Sequence, residues 1–99
     1  MSLPVNWSAS SKAEYAELLK HLQDHFGLDA AMSYMDKMDE RILQISNFPE
    51  SGRATKKESV RRVTITPQTS VIYEIYDQTI EILYLWDNRQ NPDKLEEVL

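Results

Sequence analysis

Five basic side chains, Arg53, Lys56, Lys57, Arg61 and Arg62, fall in residues 53–62 against a single acid, Glu58. Another arginine, Arg89, follows the aromatic Trp86 shortly before the chain ends. Arginine presents a planar fork of N–H donors that matches the two oxygens of a carboxylate or phosphate. Arg53, Arg61, Arg62 and Arg89, with Trp86 beside the last, are therefore the candidate target-binding residues. The chemistry open to them is the grip of an acidic partner, whether nucleic acid, protein or the acidic tail of a binding partner. The opposing explanation is a solvated loop running into an exposed strand edge, which lysines protect from aggregation. Lys56 and Lys57 fit that second account.

Other residues with chemical potential resolve toward packing. Tyr73, Tyr76 and Tyr84 can stack bases, as Trp86 can, yet sheet aromatics are usually core. His21 and His25 stand at i, i+4, a spacing that can hold a metal. They lack the intervening glutamate of a metalloprotease and a third ligand, so neither a metal nor another cofactor is expected. Ser8, Ser10 and Ser11 have no histidine and acid placed to activate them, and helix capping accounts for them. Met32, Met35 and Met38 can line an adaptable surface, but Met35 and Met38 fall on an apolar helical stripe and are expected in the core.

The 99 residues fit one domain, 1–99, with one core. No cysteine is present, so disulfides and thiolate metal sites are excluded. No run approaches the roughly 20 apolar residues of a membrane span. The segment Met1–Val5 lacks the features of a signal peptide, which makes the cytoplasm the default location, with no membrane partner expected. The net charge of −5 is uneven. Residues 1–52 carry four basic and eight acidic side chains, residues 53–62 a balance of +4, and residues 63–99 two basic against seven acidic. At a Debye length of about 8 Å the distant acids are partly screened from the basic segment.

The elements that must position these residues follow from periodicity. Val5-Asn6-Trp7 reads as a short strand. Tyr15, Leu18, Leu19, Leu22 and Phe26 form one stripe of a helix that Gly27 ends. A second helix opens at Leu28-Asp29, with the stripe Ala31, Tyr34, Met35, Met38, Ile42 and Ile45, and stops before Phe48-Pro49. After a turn-rich link, residues 54–59 read as an exposed loop. Val60–Thr66 is a strand with Val63 and Ile65 on one face and Arg62 and Thr64 on the other. Ser70–Tyr76 and Thr79–Trp86 follow, joined by a two-residue loop at Asp77-Gln78. Ile80, Ile82, Tyr84 and Trp86 are expected on one face of the last strand. Leu83 and Leu85 make its other face apolar, so it should be covered on both sides. Leu95, Val98 and Leu99 need cover from the domain, a second copy or a partner. The expected architecture is α+β: an N-terminal strand, an αα-hairpin, then a C-terminal antiparallel three-stranded meander, in the order β-α-α-β-β-β.

That order resembles the RelE/ParE superfamily of toxins from type II toxin–antitoxin, or plasmid stabilisation, systems. The resemblance rests on Trp7-Ser8 with Ala13 and Tyr15, and on Pro49-Glu50-Ser51-Gly52-Arg53. It rests also on Arg61-Arg62-Val63, Val71-Ile72-Tyr73-Glu74-Ile75, Ile80-Glu81-Ile82-Leu83 and Asp87-Asn88-Arg89-Gln90. It implies a cognate antitoxin, with a homodimer also open, and two kinds of target. ParE-like members inhibit DNA gyrase, and RelE-like members cleave mRNA on the ribosome. If this chain were an RNase, Arg61 and Arg89 would fall at the family's basic positions. A 2′-hydroxyl attack needs neutralised charge at phosphorus and a proton acceptor beside the nucleophile. Ser70 and Val71 stand where RNase members usually carry an arginine, Asp87 where many carry a histidine, and no histidine or tyrosine follows Trp86. An Asp87 anion would repel the phosphate. A toxin that binds a target such as gyrase is thus the leading expectation. A ribosome-dependent endoribonuclease and a non-toxic binding module on the same fold stand as alternatives.

Overall fold

A computed structural model describes residues 2–99. Strand β1 (Val5–Trp7) leads into helices α1 (Ala9–Phe26) and α2 (Leu28–Asn47). A 3-10 turn (Pro49–Ser51) precedes β2 (Arg53–Ala54), β3 (Val60–Thr66), β4 (Thr69–Tyr76) and β5 (Thr79–Asp87), and α3 (Pro92–Val98) follows. Ser8 caps α1 by accepting from the Ser11 amide at 3.0 Å, while its own amide donates to Ile82 O at 3.1 Å. The cap that starts the helix therefore also moors it to the sheet. Gly27, at φ 94°, takes the left-handed turn between the helices. The residue before Pro49 is forced out of the α region, so α2 stops at Asn47.

The five strands lie in the order β1-β5-β4-β3-β2, with β1 parallel to β5 and the remaining neighbours antiparallel. The β4–β5 hairpin turns on Asp77 and Gln78 at φ 50° and 61°, a type I′ geometry reached without glycine. The helical hairpin covers one sheet face: Tyr34, Met38 and Ile45 are buried against Val63, Val71, Tyr73, Ile80 and Ile82. On the other face Leu95 of α3 is buried on Val60 and Ile72, with Tyr84, Trp86 and Leu99 around it. Two of the three C-terminal apolar residues are thus covered by the domain itself, while Val98 stays exposed.

Four expectations need correction. Tyr84 and Trp86 do not share a face with Ile80 and Ile82. A bulge sets Ile72 opposite Tyr84 but Tyr73 opposite Ile82, so Leu83 is the extra residue. Ile80, Ile82 and Leu85 pack under the helices, and Leu83, Tyr84 and Trp86 pack on the α3 side. Met35 is not core but exposed, because it lies at the flank of the stripe that Tyr34 and Met38 bury. Phe26, at the hairpin tip beyond the sheet, is exposed too. The 54–59 loop begins one residue later than expected, since Arg53 and Ala54 pair with Arg62 and Arg61 as a fifth strand.

Candidate functional site

Strand alternation splits the basic segment. Arg53 stands directly opposite Arg62 across β2–β3, and the row continues over β4 and β5 through Ile72 and Tyr84. Arg53 and Arg62 therefore share the α3 side of the sheet, about 5 Å apart at the backbone. Like charges set opposite one another are destabilising. Among the described residues the ion pairs are Lys20–Asp24 and Arg89–Asp87, so no carboxylate offsets this arginine pair.

Arg62 is nonetheless held in place. Its Nη2 donates to Asn88 Oδ1 at 2.8 Å and its Nε to Ser70 Oγ at 3.3 Å. The buried Ser70 hydroxyl donates to the same Asn88 oxygen at 2.7 Å. Asn88 is anchored in turn, donating its amide to Gln68 O at 2.8 Å and its side-chain nitrogen to Thr66 O and Pro67 O. A guanidinium fixed by neutral partners keeps its full charge and a set orientation. Trp86, opposite Ser70 on β5, lies in the next row.

Arg61 points the other way. Its Nη1 donates to Gly52 O at 2.8 Å, in a hollow lined also by Glu50, Lys57 and Glu58. The same turn is gripped by buried Tyr73, whose hydroxyl donates to Pro49 O at 2.7 Å and accepts from the Gly52 amide at 3.1 Å. Burial pushes the Tyr73 phenol above its ordinary range, with the Gly52 hydrogen bond and the Arg61 charge opposing. Arg61 and Tyr73 together fix the turn that delivers Arg53.

Arg89 is bound to a partner of its own and is offset from Arg61, although its neighbour Asn88 is the residue that holds Arg62. Asp87 opposes Thr69 and Arg61 opposes Tyr73, four residues away along β4, or roughly 13 Å. Arg89 binds Asp87 with both prongs, Nε to Oδ1 at 2.9 Å and Nη2 to Oδ2 at 2.8 Å. The pair lines the rim of a cleft of about 600 Å³ floored by Leu18, Leu22, Tyr34 and Leu85. The hydrogen bonds from Arg89 hold the Asp87 carboxyl down at about 2. A depressed folded pKa stabilises above the unfolded value of 3.8 and ceases to do so as pH falls through about 2. Carboxyl titration by NMR should place the Asp87 midpoint near 2, and Arg89→Ala should return it toward the ordinary carboxylate range. A midpoint unmoved by Arg89→Ala would refute the pairing.

Of the four candidate arginines the sheet sets two, Arg53 and Arg62, opposite one another, with Trp86 in the next row. The rings of His21 and His25 lie 4.2 Å apart between centroids, tilted by 32°, and the described residues hold no group of three metal-ligating side chains. Asn88 and Ser70 were not singled out from the sequence as site residues. Their only signal was position, Asn88 beside Arg89 and Ser70 in the strand facing Arg62. No helix among the described residues is long and apolar enough to cross a membrane.

Comparison with known proteins adds the following. Residues 5–92 match the family described as the ParE toxin of the type II toxin–antitoxin system, parDE. No curated protein sequence matches the chain. A structure of the chromosomal ParDE toxin–antitoxin system from P. aeruginosa superposes with a TM-score of 0.73 at 17% identity, covering 87% of this chain and 96% of that one. The YoeB dimer from Staphylococcus aureus gives 0.60 at 14% identity, covering 85% and 94%. A conserved hypothetical protein from Helicobacter pylori gives 0.55 at 17% identity, covering 89% and 97%. At such identities the superpositions speak to fold alone.

Proposed function

The chain belongs to the ParE toxin family of type II toxin–antitoxin systems, and from that premise we propose that it acts by binding a protein target such as DNA gyrase. The binding face is the α3 side of the sheet, where Arg53 and Arg62 meet the target's carboxylates and Trp86 adds apolar contact. The observation that carries this reading is a pair of arginines without a carboxylate partner, one of them fixed by Asn88 and Ser70. A grip needs fixed charge and nothing more.

Cleavage of RNA by 2′-hydroxyl attack needs a proton-transfer group as well. Asp87 is committed to Arg89 and remains ionised at neutral pH. Tyr84 is separated from Arg62 by Ile72, on which Leu95 is buried. Action on gyrase places the protein in the cytoplasm, and its restraint falls to a cognate antitoxin. Inducing the gene without its neighbouring reading frames is expected to arrest growth while mapped 5′ ends of translated mRNA stay unchanged. Unimpaired growth at confirmed expression would leave only a non-toxic binding module, and new mRNA 5′ ends would establish the endoribonuclease instead.

A further inference from the structure

Helix α2 carries a second apolar strip that the fold leaves open. Leu28, Met32, Met35 and Leu43 are 58%, 54%, 43% and 62% exposed. Their spacing follows one helical face, interrupted by Asp39 where the next apolar residue would fall. At 1.5 Å per residue the strip runs about 22 Å, or four turns. Asp29, Asp36, Asp39 and Glu40 lie along it, exposed and outside the ion pairs of the described residues. The helix's arginine is turned away, with Arg41 donating to Thr64 O and Gln44 Oε1. The strip is thus apolar, partly of pliable methionine, and bordered mainly by acids, with Lys37 the cation in the hollow that Asp36, Asp39, Glu40 and Leu43 line.

We propose that this strip is the docking surface for a basic amphipathic helix of a partner protein. Anchors at i, i+4 and i+7 are what a helix laid alongside another engages, and the acidic border selects lysine and arginine on the incoming helix. A second copy of this chain fits poorly. The antiparallel two-fold pairing that sets Leu28 against Leu43 also sets Met32 against Asp39 and draws the Asp36 carboxylates of both copies to the axis. The strip lies in the helical layer, away from the Arg53–Arg62 face, so the proposal does not depend on the target of that face.

Calorimetric titration of the full chain with two synthetic 18-residue helices tests it. One helix carries a leucine stripe flanked by lysine, and the other is identical with glutamate for lysine. The lysine helix is expected to bind with a dissociation constant on the order of 10 µM, and the glutamate helix not measurably. Met32→Ser with Leu43→Ser should weaken the lysine helix at least about tenfold. Asp36→Lys with Asp39→Lys and Glu40→Lys should transfer the preference to the glutamate helix. Glu17→Lys with Glu97→Lys, equally exposed acids off the strip, should change affinity by less than about threefold. Equal binding of both helices, or an equal loss in that off-strip variant, would overturn the proposal. So would a dimer in sedimentation that the Met32→Ser, Leu43→Ser variant dissolves.

Discussion

Changing Arg53 and Arg62 together to alanine is expected to abolish growth arrest and to weaken target binding by roughly 10²–10³-fold, with the fold intact. Truncating a charged anchor at the centre of an interface typically costs about 2 kcal/mol or more, and every 1.4 kcal/mol is about tenfold. Stability should hold because the two arginines are opposed across β2–β3 and neither is in an ion pair among the described residues. Removing both relieves a like-charge pair rather than breaking an ion pair. Asn88 Oδ1 keeps its hydrogen bond from Ser70 when Arg62 is gone. Arg61→Ala is the informative companion. Its side chain holds Gly52 O on the other face, so it should lower the thermal midpoint while a correctly folded fraction keeps its activity. Binding measured on purified variants, with circular dichroism as the folding control, decides the matter. Full binding by the double variant would remove the face from the account.

A second large effect is expected at Gly52. Its backbone is extended at φ −71°, so left-handed geometry is not the reason for glycine there. Space is the reason. A Cβ would collide with the Tyr73 hydroxyl and come within 2.9 Å of Tyr73 Cε1. The Tyr73 ring is fully buried among Val71, Ile80, Ile82 and their neighbours and has nowhere to retreat. Gly52→Ala should therefore combine overpacking with a broken Gly52 N–H to Tyr73 bond, about 2–4 kcal/mol in total. In a domain of this size that lowers the thermal midpoint by about 10–25 °C. The Gly52→Ala, Tyr73→Phe double variant should lose less than the sum of the two single changes, because one contact is removed from both sides. A midpoint within a few degrees of the parent would show that the turn can shift freely.

The fold was legible where one residue type leaves the backbone little choice. Gly27 and Pro49 mark helix ends that any reading of glycine and proline finds, and the strand period of β3 separates Val63 from Arg62. The same period already separates Arg61 from Arg62, which is why only one of them could join Arg53. The bulge at Leu83 was not legible, because all five residues from Ile82 to Trp86 are apolar or aromatic and each register buries something. It is tertiary packing, helices below and α3 above, that chooses. Met35 was misplaced for a related reason: the stripe is wider in sequence than the strip of sheet available to cover it. Asn88 and Ser70 carry no charge and no rare chemistry, and their part in fixing Arg62 depends on β3, β4 and the post-β5 turn meeting in space. Arg89 was a candidate target-binding residue by type, and its pairing with Asp87 depends on the turn after β5.

The most direct test of a grip without catalysis is a supercoiling assay with purified gyrase, run beside an incubation of the same protein with translating ribosomes and a defined mRNA. Inhibition of supercoiling by the parent, its loss in the Arg53→Ala, Arg62→Ala variant, and uncut mRNA throughout are the predicted result. Cleaved mRNA with supercoiling untouched would contradict the account.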